Sequence, residues 1–489
     1  MKLIFQGHDY RYAVEQSLLA FFPTQRPVYD GEDRDTARVT LSAGKKLHTA
    51  TTVLTVDGKT ARGAARMDVS GASDSYERER LLQRIVKLSF FKAARALTGV
   101  TPAWGALTGI RPAKLAVGLL EQGLTPKEAD RVLRDTYFVS PQRRELAVQC
   151  ALAGMAAQRD LEPRDISLYV GIPFCPTRCA YCSFVSNSVE KSFHLVEPYV
   201  EALLREVDSA AELVKSLGLR IKSFYMGGGT PTTLTAEQMD RLLRRLNTRF
   251  DMGSAIEYTV EAGRPDTITP EKLQVLKENG VTRVSINPQT MSDQVLAAIG
   301  RRHSADDIRA AMELVDRVGF AHVNMDLIAG LPEDAPDSFR RTLDEVLAFG
   351  TDNITIHTLS LKKGSRITLE GTRIPTMEEV GEMLDYANPT LRQAGFSPYY
   401  LYRQKYMSGS FENVGWCRPG GTGWYNIYIM EELHSILSLG AGGSTKMVDP
   451  VHNRIERVFN LKFPQEYIQR PEKITENQRA FRAFYEQVP

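Results

Sequence analysis

The sequence predicts an α/β protein: a partial (β/α)6 barrel set between an N-terminal α+β domain and a C-terminal mixed region. Three observations carry this. Between Asp165 and Leu361, short apolar runs alternate with amphipathic helical stretches, giving six candidate strands separated by five candidate helices. Polar or glycine-rich residues stand where nearly every one of those strands stops. Three of the five cysteines fall within the eight residues Cys175 to Cys182, directly after the first apolar run. The expected domains are 1–160, 161–369 and 370–489.

Residues 1–160 open with a strand-like KLIF and an amphipathic helix around Tyr12 to Phe22. Ala37 to Val69 alternates apolar and polar residues around Asp57-Gly58, the signature of a hairpin. Ser75 to Leu97, Thr125 to Leu133 and Pro141 to Ala157 carry apolar residues at helical spacing. Between them, Arg111-Pro112 after Gly109 reads as a fixed turn presenting a guanidinium, either to a substrate carboxylate or to a structural ion pair.

In the middle region the candidate strands are Ile166 to Phe174, Ser223 to Met226, Ala255 to Val260, Arg283 to Asn287, His322 to Ile328 and Asn353 to Leu361. The helices between them are expected near Glu197 to Leu217, Ala236 to Arg249, Pro270 to Asn279, Ala305 to Val318 and Pro336 to Phe349. Strands alternating with helices imply a parallel sheet, right-handed crossovers and outer helices, with function at the carboxyl ends of the strands. Six such units close only part of a barrel.

The cysteines have C-x3-C-x2-C spacing on one short loop, so three soft thiolate ligands can converge. Such a loop can cap three corners of an iron–sulfur cube and leave one iron open. A tetrahedral zinc site is the rival reading, although Cys150 and Cys417 offer no second pair at C-x2-C spacing. After the second strand, Gly227-Gly228-Gly229-Thr230-Pro231 allows close backbone approach to a ligand. Glu261 ends the third strand among apolar neighbours, Gln289 ends the fourth ahead of Arg301, and Asp326 lies inside the apolar fifth strand.

A formal charge of +2 implies no polyanionic partner, and the basic runs Arg301-Arg302-His303 and Lys362-Lys363 read as solvated faces. No apolar run approaches the roughly eighteen residues of a membrane span, and the N-terminus shows no signal-peptide core. Five clustered or isolated cysteines suit a reducing, cytoplasmic setting better than a disulfide framework.

At the cysteine loop the chain resembles the radical S-adenosylmethionine (SAM) superfamily. The stretch YVGIPFCPTRCAYC, followed in order by GGGTP, Glu261, Gln289, Arg301 and DLIAGLP, is similar to the group of oxygen-independent coproporphyrinogen III dehydrogenases. The resemblance runs from Asp165 to Thr445, including LGAGGS at Leu439 to Ser444; the long N-terminal region and TGIRPAK look most like the HemZ-type variant. It implies that Cys175, Cys179 and Cys182 bind a [4Fe-4S] cluster whose open iron chelates SAM, and that the reduced cluster cleaves SAM to a 5′-deoxyadenosyl radical. It further implies that Tyr169, Tyr181, Gly228, Gly229, Thr230, Glu261, Gln289, Arg301 and Asp326 contact SAM, with Tyr181 near the adenine.

The implied reaction is oxidative decarboxylation of two porphyrinogen propionates to vinyls, with an electron donor such as flavodoxin or ferredoxin, no nucleic acid and no membrane span. Arg111, Arg264, Arg403 and Lys405 are the expected cations for the substrate's carboxylates, and the aromatic run Tyr399 to Tyr406 is expected either to pack a tetrapyrrole face or to be an ordinary amphipathic strand. The chain departs from the group pattern at Gly171, where that pattern has histidine, and at Phe184, where it has a fourth cysteine. Alternatives within the resemblance are a haem chaperone and a haem-opening radical methylase. The chaperone's H-N-x-x-Y-W motif has no counterpart here: the nearest stretch, Tyr425-Asn426-Ile427-Tyr428-Ile429-Met430, lacks histidine, which speaks against haem carriage and leaves only a tyrosine open as haem ligand.

Overall fold

The computed structural model of the chain describes all residues except 45–46, 183–186, 361–371, 405–407 and 489. Phe184, Lys362, Lys363, Lys405 and Tyr406, singled out above, lie outside the described residues.

The chain divides into two compact units. The first comprises Met1–Val148 with Arg403–Glu412, and the second Gln149–Tyr402 with Asn413–Pro489. The three regions expected at 1–160, 161–369 and 370–489 are thereby redrawn: the C-terminal region is no separate body but part of the barrel unit, apart from ten residues that belong to the first.

In the first unit, β1 (Lys2–Gln6), β2 (Thr36–Ala43), β3 (Leu47–Val56) and β4 (Lys59–Asp68) form one sheet in that order. The expected hairpin at Asp57-Gly58 joins β3 to β4, and both turn residues have positive φ, 50° and 77°, as a tight primed turn demands. A third strand, β2, lies within the stretch that read as one hairpin, because a period of two does not count strands. Alternate residues of the sheet (Val39, Ala50, Leu54, Ala65) bury against the helices Arg11–Phe21 and Ser75–Thr98 through Leu18, Val86, Phe90 and Phe91. Arg403 is buried here, 7 % exposed, and donates to the carbonyls of Leu107 (2.7 Å) and Ser410 (2.8 Å). It is a strut for the loop before Arg111, which corrects its assignment to substrate. Arg111 itself precedes Pro112 at the start of the helix Pro112–Glu121, the turn its sequence implied.

In the second unit, β5 (Asp165–Ile172), β6 (Phe174–Cys175), β7 (Asn187–Ser188), β8 (Arg220–Gly228), β9 (Glu257–Glu261), β10 (Arg283–Gln289), β11 (His322–Ala329) and β12 (Asn353–Thr358) are followed by β13 (Ser397–Tyr402), β14 (Asn413–Cys417), β15 (Ile436–Leu439), β16 (Ser444–Asp449) and β17 (Arg454–Phe459). β6 and β7 pair only with each other, and the rest form an 11-stranded sheet in the order β13-β14-β12-β11-β10-β9-β8-β5-β15-β16-β17. The six strands β5, β8, β9, β10, β11 and β12 are mutually parallel neighbours in chain order, the expected (β/α)6 array. The helices between them, among them Val196–Ser216, Ala236–Arg249 and Ala305–Val318, fall where the periodicity placed them.

The C-terminal strands do more than cover one flank: β14 pairs antiparallel with β12 at one side of the array, and β15 pairs parallel with β5 at the other. The loop at 440–443 then packs on β5, where a Cβ at Gly171 would stand 3.1 Å from the Ala441 carbonyl oxygen. A side chain at this position, where the group pattern has histidine, would require that carbonyl to give way by a few tenths of an ångström. Tyr399 and Tyr400 are buried in β13, so the aromatic run is a strand of the sheet as far as it is described. Residues Glu472–Tyr485 form a helix of this unit. Among the described residues no helix is long and apolar enough to cross a membrane.

Candidate active site at the strand ends

The parallel strands alternate strictly, and their two faces differ in kind. Leu168, Phe224, Val260, Ile286, Leu327 and Ile356 belong to a buried apolar face. The other face is polar from end to end: Ser167 and Tyr169, Ser223 and Tyr225, Glu257 and Glu261, Ser285 and Asn287, Asn324 and Asp326, Thr355 and His357. Hydrogen bonds between neighbouring strands confirm that these side chains share one interior. Ser167 and Ser223 hydroxyls lie 2.7 Å apart, Asn324 donates to Ser285 (2.7 Å) and to Asp326 (2.8 Å), and Thr355 donates to Asn324 (3.2 Å).

Exposure grades along this interior. Ser167, Ser223, Glu257, Ser285 and Thr355 are buried, whereas Tyr169, Tyr225, Glu261, Asn287, Asp326 and His357 nearer the carboxyl ends are half-buried. The deep end is closed by residues that follow β14. Arg283 donates to the Gly421 and Thr422 carbonyls at 3.0 Å each, Asn353 donates to Gly421 O at 2.7 Å, and the Tyr425 amide donates to Glu257 at 3.0 Å. The interior therefore opens at the carboxyl ends, where the sequence motifs lie.

Tyr425, at the start of the helix Trp424–Glu431, stacks on Tyr225 with ring centroids 4.6 Å apart and on Tyr169 at 6.3 Å. Tyr428 is wholly buried and lies 4.4 Å from the His434 ring. Both tyrosines are buried against other side chains, so neither is presented as a haem ligand. Tyr225 and His357 escaped the sequence reading because each is one polar residue in an apolar context; the two-residue spacing of Tyr225 from Gly227 was the available signal.

The cysteine loop leaves β6 and is pinned on three sides. Ala180 N–H donates to Ile299 O (3.0 Å), Cys182 N–H to Cys179 O (3.2 Å), and the Ser188 hydroxyl to Pro176 O (3.1 Å). The glycine segment laces onto it: Gly229 N–H donates to Ile172 O (2.8 Å), Thr230 N–H to Phe174 O (2.7 Å), and the Thr230 hydroxyl to Cys175 Sγ (3.5 Å). Gly228 has φ +105°, and a Cβ at Gly229 would meet Phe174 O at 2.5 Å, so neither place accepts a side chain. Thr230 is buried, with its hydroxyl facing Cys175.

Cys175, Cys179 and Cys182 are partly exposed, while Cys150 and Cys417 are buried. Among the described residues no three His, Cys, Asp or Glu side chains converge as ligands of one metal ion. A zinc site gathers its ligands on one ion, whereas an iron–sulfur cube spreads its thiolates over its iron corners, one to each. Cationic groups back the thiols as a bound anion-rich cluster requires: Arg264 Nη1 lies 3.7 Å from Cys179 Sγ, and Arg301 donates to the Asn287 carbonyl (2.5 Å) and to the Tyr181 hydroxyl (3.3 Å). The donor set and the glycine cradle fit a [4Fe-4S] cluster with a ligand beside it.

Two expectations about cations change. Arg301 and His303 are buried, with only Arg302 on the surface, 67 % exposed and paired to Glu190 at 2.5 Å, so this run is not a solvated face. Arg264 is 3 % exposed and forks onto Asp266, with Nε–Oδ1 2.9 Å and Nη2–Oδ2 2.7 Å, so it is not open to a substrate carboxylate.

Glu261 finds a phenol in place of a cation as its partner. Tyr225 donates to its Oε1 at 2.6 Å, and its carboxyl is pushed up to about 7 by desolvation, with the Tyr225 bond pulling down and the Asp326 charge pushing up. Asp326 accepts from Asn324 and lies 3.7 Å from His357 Nε2. Gln289 ends β10 with φ +69° at an irregularity in its pairing with β11, a strained position for a non-glycine residue. The structure thus brings Tyr169, Glu261 and Asp326 into one interior and Tyr181 and Arg301 to the cysteine loop.

The sequence profile of the Radical SAM superfamily matches residues 169–346. The oxygen-independent coproporphyrinogen-III oxidase-like protein HemZ of Bacillus subtilis is 38% identical over 410 residues, covering 82% of this chain and 82% of that protein. The chain belongs to the radical SAM superfamily, in its HemZ-like group. Its cofactors are accordingly a [4Fe-4S] cluster and SAM. Within this superfamily, the heme chaperone HemW of Mycobacterium tuberculosis is 30% identical over 270 residues, covering 54% of this chain and 65% of the chaperone. Among solved structures, coproporphyrinogen III oxidase (HemN) from Escherichia coli aligns with TM-score 0.53 at 23% identity, over 66% of this chain and 72% of that one, which establishes the shared radical SAM fold.

Proposed function

We propose that this chain is a cytoplasmic radical SAM oxidoreductase that converts two propionates of coproporphyrinogen III to vinyls, forming protoporphyrinogen IX for haem biosynthesis. The observation that carries the reading is the likeness to HemZ over most of both chains. Cys175, Cys179 and Cys182 would hold the cluster, and Tyr169, Tyr181, Gly228, Gly229, Thr230, Glu261, Gln289, Arg301 and Asp326 would hold SAM. When bound, the two supply a 5′-deoxyadenosyl radical.

Glu261 and Asp326 accept hydrogen bonds from amine and hydroxyl donors at the open end of the interior. A Glu261 carboxyl near 7 is partly neutral at physiological pH and limits the repulsion that two facing carboxylates would otherwise exert. The tyrosine stack and the floor at Arg283 keep bulk water from the deep side. Each propionate gives up a β-hydrogen atom, carbon dioxide and one electron, so the reaction needs an electron acceptor, and cluster reduction needs a donor of the flavodoxin or ferredoxin kind.

The HemW relative motivates one second reading, a haem chaperone. Both are tested by incubating reduced, cluster-loaded protein anaerobically with SAM and coproporphyrinogen III. The proposal expects 5′-deoxyadenosine and a tetrapyrrole that has lost two carboxyl groups. Tight haem binding with no change in the porphyrinogen would replace it by the chaperone.

A further inference from the structure

The sequence Gly263-Arg264-Pro265-Asp266 follows Glu261, and its arginine plays no part in the function proposed above. Its geometry gives it one. The guanidinium is planar with donors on three sides. Two sides go to Asp266, and the remaining Nη1 points at the cysteine loop, 3.2 Å from Thr177 Oγ1, 3.5 Å from Thr177 O and 3.7 Å from Cys179 Sγ. Behind Asp266 stands buried His303, whose Nδ1 is 3.6 Å from Oδ1. The ion pair is therefore an oriented dipole, positive end toward the sulfur and negative end away, in a place where the guanidinium is almost wholly removed from water.

We propose that the Arg264–Asp266 pair sets the reduction potential of the cluster held by Cys179, with Arg264 a positioning residue that also fixes the loop at Thr177. This rests on the reading that Cys179 is a cluster ligand. An N–H donor and a positive charge at a thiolate favour the more negative, reduced cluster and so raise its potential. Removing the arginine takes away the donor and leaves the Asp266 charge facing the loop. Removing the Asp266 charge leaves the guanidinium uncompensated. The two changes loosen the same pair but act on the cluster with opposite sign, which a purely structural role cannot reproduce.

The test uses the full chain, reconstituted anaerobically, with iron counted per chain and the potential read by redox titration monitored by electron paramagnetic resonance. Arg264→Gln should shift the potential to more negative values than wild type, Arg264→Lys should fall between the two, and Asp266→Asn should shift it to more positive values. If Arg264→Gln retains no iron, the lysine and asparagine variants decide by the same opposite signs. Potentials equal to wild type, or shifts of one sign for both residues, overturn the proposal. A Cys179→Ala chain that keeps a full cluster at the wild-type potential overturns instead the assignment of Cys179 on which it rests.

Discussion

Glu206 and Glu261 are both pushed up to about 7, and desolvation is the main cause in each, yet they stand in opposite circumstances. Glu206, on the outer helix Val196–Ser216, is saturated: Gly440 N–H donates to it at 2.7 Å, Asn460 at 3.2 Å, and the Tyr467 hydroxyl donates as well. It ties the glycine loop after β15 to that helix and to the C-terminal segment. Glu261, at the tip of β9, has one short side-chain bond from Tyr225, a like charge nearby in Asp326 and partial access to solvent. Equal displacement of a pKa thus marks a closed structural joint in one place and a carboxyl at the open end of the interior in the other. The surroundings separate them.

The cysteines divide along the same line, and they give the largest expected effect. Cys175→Ala, Cys179→Ala or Cys182→Ala should abolish the brown chromophore and iron content after reconstitution, whereas Cys150→Ala and Cys417→Ala should retain both. Loss of the cluster in the Cys417 variant would erase the distinction between buried and presented thiols.

Next in size is the closed joint. Glu206→Ala strands three buried donors, and at pH 6 it should lower the stability of the apoprotein by roughly 3 kcal/mol in denaturant unfolding. Glu261→Gln should leave stability within about 1 kcal/mol and instead weaken SAM binding tenfold to a hundredfold, the loss of about 1.5–3 kcal/mol for one charged hydrogen bond. Asp326→Ala should do likewise with the cluster intact, read by calorimetry. A Glu206 variant of full stability, or a Glu261 variant that unfolds while binding SAM normally, would invert the comparison.

The joint also sets a pH dependence. A carboxyl raised from 4.5 to about 7 is protonated in the folded chain and ionised in the unfolded one between those values, so folding bears a penalty that grows as pH rises through this window and is complete above about 7. The apoprotein should gain stability on acidification from pH 8 toward pH 5, by up to about 3 kcal/mol for Glu206, and Glu206→Gln should remove that share. A wild-type stability flat across this window would contradict the burial argument.

The barrel was legible because its signals are local and repeated. Each strand is a short apolar run with a polar tip, and helix starts such as Thr235 with Gln238 and Ser304 with Asp307 carry capping boxes in the sequence. The cysteine loop was legible because three soft ligands at close spacing have few other uses. What remained hidden depends on long-range pairing. Nothing around Ile436 announces that β15 will join β5, nor that Gly421 will close the barrel floor onto Arg283. The fate of Arg264 and Arg403 was misjudged for the same reason, since an arginine's partner, unlike its charge, is not written beside it.

If the proposed function holds, the porphyrinogen's β-carbon lies at the open end of the polar interior, within reach of the 5′-carbon of SAM. The most direct test is to supply coproporphyrinogen III deuterated at the propionate β-carbons to the reduced, cluster-loaded protein with SAM, and to read the mass of the 5′-deoxyadenosine formed. The account predicts deuterium in that product in step with carbon dioxide release. 5′-Deoxyadenosine formed at the same rate without deuterium, and with the porphyrinogen unchanged, would contradict it.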